Sequence, residues 1–189
     1  MHPALLIIDL QRWFLEVGPP EKLARVRGLL AQTAELAAAF HARGLPVVHV
    51  LTIHQADGST WNQWMREHRT GRLLDGSREA EEHPDVPHHV ADLTVRKTRH
   101  SAFIRTDLEA RLRARGVDTL VLAGFSTNAC VGLTAIEAWE RDFRVILAGE
   151  AILGTNEAEG QAMLDYLRVR FELTLQANAA IVAALPAHE

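Results

Sequence analysis

Three residues of reactive type stand just beyond short apolar runs. Asp9 follows Ala4-Leu5-Leu6-Ile7-Ile8, Lys97 follows Leu93-Thr94-Val95, and Cys130 follows Thr119-Leu120-Val121-Leu122-Ala123 at the start of a helical pattern. A thiol at a helix N-terminus beside a cation has a lowered pKa and becomes a nucleophile near neutral pH. In such a set Asp9 supplies a base and Lys97 the positive charge. Each residue also has a plainer reading: a buried inert thiol, a turn cap and a surface charge. Gly124 permits a tight strand-to-loop turn. The loop through Asn128 then presents backbone N–H groups where an oxyanion could be held.

The elements that must position these residues follow a βαβ rhythm, which builds a parallel α/β sheet. The runs at 4–8, 46–51, 119–123 and 144–148 read as strands buried on both faces, and 93–95 and 172–175 as weaker ones. Helical period covers 21–43, 106–115, 129–141 and 156–170, with Gly44 and Gly116 as stops. In an open parallel sheet, ligands bind beyond the carboxyl ends of strands where the winding reverses. If the first and fourth strands are neighbours there, Asp9 and Cys130 face one cleft. The segment 52–89 carries no sustained period, and its Trp61 and Trp64 suit a substrate lid or a subunit contact.

Composition narrows the classes. A chain of 189 residues fits one domain, 1–189, and can bury well over half of its unfolded surface. No apolar run reaches the roughly 18 residues of a membrane span, and the first run ends at once in Asp9 with no basic region before it. A single cysteine forms no internal disulfide, so a cytoplasmic, reducing location is expected. A net charge of −4 opposes nucleic acid or anionic lipid as the main partner.

In Asp9-Leu10-Gln11 with Phe14, in Lys97 followed by Ser101-Ala102-Phe103, and in Gly124-Phe125-Ser126-Thr127-Asn128-Ala129-Cys130-Val131, the chain resembles the isochorismatase-like hydrolases over nearly its whole length. At Gly149-Glu150-Ala151 it departs, with Glu150 where the family commonly has Asp. The resemblance implies a three-layer αβα sandwich around a six-stranded parallel sheet and a catalytic set of Asp9, Lys97 and Cys130. It further implies a non-proline cis bond between Phe125 and Ser126, and an oxyanion hole from the N–H groups of Ser126 and Cys130. The implied reaction is C–N hydrolysis of a small amide through a thioester, without cofactor, in a homodimer or homotetramer. Two relatives of that chemistry are alternatives: vinyl ether hydrolysis, which needs no thiol, and metal-assisted nicotinamide hydrolysis.

Metal-assisted members use Asp-x-His after the second strand, a pattern missing here. His49, His54, Asp57 and His68 lack tight ligand spacing, so metal-free chemistry is expected, with these as ordinary polar residues. Phe14, Trp61, Trp64 and Phe103 are candidates for an apolar substrate wall, and Arg99, His100 or Arg105 for a substrate carboxylate. The aromatics serve equally well as core and the arginines as solvated surface.

Overall fold

The elements run β1 (Pro3–Ile8), α1 (Arg12–Glu16), α2 (Pro20–His41), β2 (Val47–Thr52), α3 (Gln63–Glu67), β3 (Leu93–Lys97) and α4 (Leu108–Arg113). They continue with β4 (Thr119–Phe125), α5 (Gly132–Trp139), β5 (Arg144–Leu153), α6 (Glu157–Phe171), β6 (Thr174–Gln176) and α7 (Asn178–Ala184). This computed structural model describes residues 1–187, so the last two residues of the expected domain lie outside the described residues.

Every residue of β1 is buried, and the side chains divide by parity. Ala4, Leu6 and Ile8 enter one core beside Val48, Val50, Leu120 and Leu122, under Leu108 and Leu112 of α4, Ala135 and Ala138 of α5, and Leu167 of α6. Leu5 and Ile7 enter the other with Val47, Val121 and Ala123, under Leu29, Leu36 and Phe40 of α2 and Ile181 of α7. Each Val, Leu, Ile or Phe among them contributes about 1.5–3 kcal/mol on full burial, and with both faces of the sheet apolar a helix layer is needed on each. The six strands are all parallel in the order β3-β2-β1-β4-β5-β6. The winding therefore reverses between β1 and β4, and the αβα sandwich is the expected one.

Local chemistry accounts for the boundaries. Pro20 opens α2 without wasting a backbone donor, and Gly44 in the left-handed region follows its end. Asn156 caps α6 by accepting from the Glu159 N–H at 2.9 Å.

Three elements differ from expectation. The strand expected to end at 148 runs on to Leu153, past a register irregularity opposite Leu122 and Gly124. There Glu150 accepts the Asn178 N–H at 2.7 Å, tying the strand to the start of α7. The helix expected from Ala129 begins instead as a π-helical turn over Thr127–Val131 before α5. The aperiodic segment 52–89 holds α3 and a 3₁₀ turn, Arg78–Ala80, and is pinned by the bridges His54↔Leu74 and Gln11↔Glu82. Ile53, Leu73 and Ala80 give it a small core of its own against Trp13 and Phe14. No helix among the described residues is long and apolar enough to cross a membrane.

Candidate active site

Asp9, the first residue past β1, sits at φ 52°, a left-handed conformation that Asp tolerates better than most side chains. Its N–H donates to the Val50 carbonyl at 2.8 Å, which turns the carboxylate toward the carboxyl end of β2. There Oδ1 accepts from the Thr52 N–H at 3.0 Å and from Thr52 Oγ1 at 2.9 Å. Gln11 braces the same strand end, accepting from the Thr52 N–H and donating to the carbonyls of Thr52 and Ala80 at 2.9 and 2.7 Å.

Lys97 is the last residue of β3 rather than the loop beyond it, and its ammonium is buried. Nζ donates to Asp9 Oδ2 at 2.7 Å, to Thr52 Oγ1 at 2.6 Å and to the Arg99 carbonyl at 3.1 Å, and lies 3.4 Å from Cys130 Sγ.

Cys130 lies in the π-helical turn after β4. Gly124 makes that approach possible: at φ 123°, an added Cβ would stand 2.1 Å from the Ile8 carbonyl oxygen. The Phe125–Ser126 peptide is cis, as the resemblance implied. The Ser126 carbonyl accepts from the N–H groups of Ala129 and Val131 at 3.0 and 3.1 Å, closing the turn. Asn128 ties it to α6, donating to Glu159 and accepting from the Thr155 N–H. His100 Nδ1 is 3.5 Å from the sulfur.

The electrostatics correct one expectation. Burial pushes the Cys130 thiol up to about 12, reinforced by the Asp9 carboxylate, and the Lys97 charge offsets only part of this. Burial works against the Lys97 ammonium too, but the Asp9 carboxylate and the sulfur outweigh it and hold the lysine above its usual range. Burial, with Lys97 nearby, holds His100 below the ordinary imidazole range.

Above these residues opens a cleft of about 570 Å³. Phe14, Trp64, Phe125, Met65, Ser126 and Cys130 are among the residues that line it. Phe103 does not reach it: its ring packs on Phe143, centroids 6.0 Å apart, inside the core under α4 and α5. Trp61 is also displaced from the cleft, donating Nε1–H to the Gln55 carbonyl and lying against Gly71. Arg99 and His100 line the cleft whereas Arg105 is exposed outside it.

Sequence reasoning missed Lys22 and Arg72 in the cleft wall and Thr52 beneath it. Lys22 belongs to a helix face and Arg72 to the aperiodic segment, so neither carried a pattern. Thr52 is read from the sequence as the first residue of the aperiodic segment, whereas it ends β2.

The histidines considered for metal do not converge. His54 lines the cleft, Asp57 is exposed and accepts from Ser59, and His68 stacks on Trp64. His49 faces the opposite side of the sheet from Val48 and Val50.

Comparison with known proteins agrees with this geometry. The model of the isochorismatase domain matches residues 3–179. A maleamate amidohydrolase of Pseudomonas putida is 34% identical over 157 residues, covering 79% of this chain and 71% of its own. Among solved structures, an isochorismatase family protein from Desulfovibrio vulgaris superposes with a TM-score of 0.86 at 29% identity, over 95% of this chain and 96% of its own. N-carbamoylsarcosine amidase from Thermoplasma acidophilum superposes with a TM-score of 0.81 at 25% identity, over 94% and 97%. With the family model spanning nearly the whole chain, and with this sheet order and strand-end constellation, the protein belongs to the isochorismatase family of hydrolases.

Proposed function

We propose that the protein hydrolyses the C–N bond of a small amide or carbamoyl compound through a Cys130 thioester. The observation that carries this reading is Lys97, whose buried ammonium joins Asp9 and Cys130 at the base of an open cleft. A thiol held up near 12 needs a base at the moment of attack, and Asp9 is the adjacent one. Asp9 takes the thiol proton as Sγ bonds to the substrate carbonyl carbon, and Lys97 offsets the charge building on sulfur. The N–H groups of Ser126 and Cys130 receive the tetrahedral oxyanion. Collapse breaks the C–N bond, and Asp9 returns its proton to the departing amine. Water, losing a proton to Asp9, then cleaves the thioester and restores the thiol.

Similarity to the maleamate and N-carbamoylsarcosine enzymes supports amide chemistry rather than vinyl ether hydrolysis, for which a thiol is superfluous. The cleft points to the substrate class. Arg72, Arg99 and Lys22 stand around an aromatic wall, suiting a short amide that carries a carboxylate. Ammonia release should be measured over a panel of small amides with and without a carboxylate, beside Cys130→Ala. Turnover that survives in that variant above about one per cent of wild type defeats the covalent route, since its nucleophile is gone.

A further inference from the structure

On the thioester route Cys130 Sγ gathers negative charge twice in each turnover, when Asp9 takes its proton and when the thioester breaks. Lys97 is the nearest cation, but its three protons meet Asp9, Thr52 and the Arg99 carbonyl at 2.7, 2.6 and 3.1 Å, and the sulfur stands last at 3.4 Å. Cys130 is only 8% exposed, so water does little to solvate that charge. The sulfur thus lacks a donor of its own among these groups.

His100 meets that need. Its Nδ1 lies 3.5 Å from Sγ, the residue lines the cleft, and among the described residues the sulfur is the only hydrogen-bond partner of the imidazole. The loop that carries it is fastened on both sides. Arg99 donates to the Thr60 carbonyl at 3.0 Å, and the Ala102 N–H donates at 3.0 Å to Oγ1 of Thr134 on α5, the helix that continues the Cys130 turn. A ring so placed can act on the sulfur as base or as donor. Burial and then the Lys97 charge hold it below the ordinary imidazole range, with Asp9 opposing them only in part, which makes a weak base but leaves a neutral N–H donor intact. Because the thiol proton goes to Asp9, the sulfur turns a lone pair to the ring, and Nδ1 carries the hydrogen.

We propose that neutral His100, as its Nδ1–H tautomer, is a catalytic hydrogen-bond donor to Cys130 Sγ, an inference that rests on the thioester route and adds a second thiolate-stabilising group beside Lys97. Asp9 carries the protons throughout. As Asp9 takes the thiol proton, Nδ1–H meets the electron pair left on sulfur while that pair bonds to the carbonyl carbon. After water has added to the thioester, the C–S bond breaks and its pair returns to sulfur. Nδ1–H meets it again, and the proton from Asp9 restores the thiol. His100 neither gains nor loses a proton.

The test alkylates the full chain, whose single cysteine is Cys130, with iodoacetamide at pH 9, and measures kcat and KM for amides that are turned over. His100→Phe keeps a ring without the donor, His100→Ala opens the site, and His100→Asn returns an N–H near the position of Nδ1. In the Phe and Ala variants the alkylation rate and kcat should each fall about 10- to 100-fold, with KM within about threefold, and His100→Asn should recover most of both. His100→Ala admits the reagent more freely, so slower alkylation there reports the donor rather than access. The alkylation arm needs no substrate and decides on the donor even where no amide is hydrolysed, a result that would sink the thioester route alone. Three results overturn the assignment: alkylation of His100→Ala as fast as wild type, His100→Asn no better than His100→Phe, or an acid limb of kcat that vanishes in His100→Asn, which would make the ring a base.

Discussion

The Lys97 ammonium has three protons and four acceptors around it, and the sulfur is the most distant, at 3.4 Å. In the resting site the lysine therefore serves Asp9 and Thr52 first, and its pull on sulfur grows only as charge develops there. The thiol that ionises at about 12 should accordingly alkylate slowly with iodoacetamide at pH 7 and faster at each higher pH. Asp9→Asn removes a charge that raises this ionisation, so its alkylation profile should move to lower pH while turnover is lost; an unmoved profile separates Asp9 from the thiol. The same shift sets a stability slope. An unfolded thiol ionises near 9.0 and the folded one at about 12, so between those values the unfolded state alone sheds the proton and stability falls as pH rises. Denaturant melts of wild type and Cys130→Ala across that window should diverge, the variant declining less.

At the scale of elements, the site depends on how three strand ends are brought level. Thr52 at the end of β2 hydrogen-bonds to both Asp9 and Lys97, so Thr52→Val leaves two buried polar groups short of a partner. A loss of about 1–3 kcal/mol is expected, read as a roughly 10- to 100-fold fall in kcat, with Thr52→Ser restoring most of it. Gly124 sets the separation of β4 and β1 at this level. Gly124→Ala would drive a methyl group into the Ile8 carbonyl at a positive φ, and a circular-dichroism melt should show a loss of at least about 2 kcal/mol.

At the scale of the molecule, the cleft draws its wall from α1, α2, α3, the loop after β3 and the turn after β4, so core and wall residues of the same type separate by function. Phe103→Ala should lower stability by about 3–5 kcal/mol with little change in KM at a temperature where it stays folded, because its ring fills the core. Arg99→Met should raise KM selectively for substrates bearing a carboxylate, at a smaller cost of about 0.5–1.5 kcal/mol in the melt, because its guanidinium also donates to the Thr60 carbonyl at 3.0 Å.

The sequence by itself determined the parallel α/β sheet, because runs such as 4–8 and 119–123 are apolar on both faces and such strands have no other stable place. It also singled out Asp9, Lys97 and Cys130 as strand-end residues, since each apolar run stops one residue or a short loop before them. Tertiary structure alone decided the rest. Whether Phe103 or Phe14 faces the substrate depends on the rotation of a loop about a strand end, which periodicity does not encode. The ionisation of Cys130 follows from burial against Asp9, a contact across 121 positions of chain. The pairing of His49 with Glu82, His88 and Asp92 arises where an aperiodic loop returns over β2, and local pattern is blind to partners so far apart.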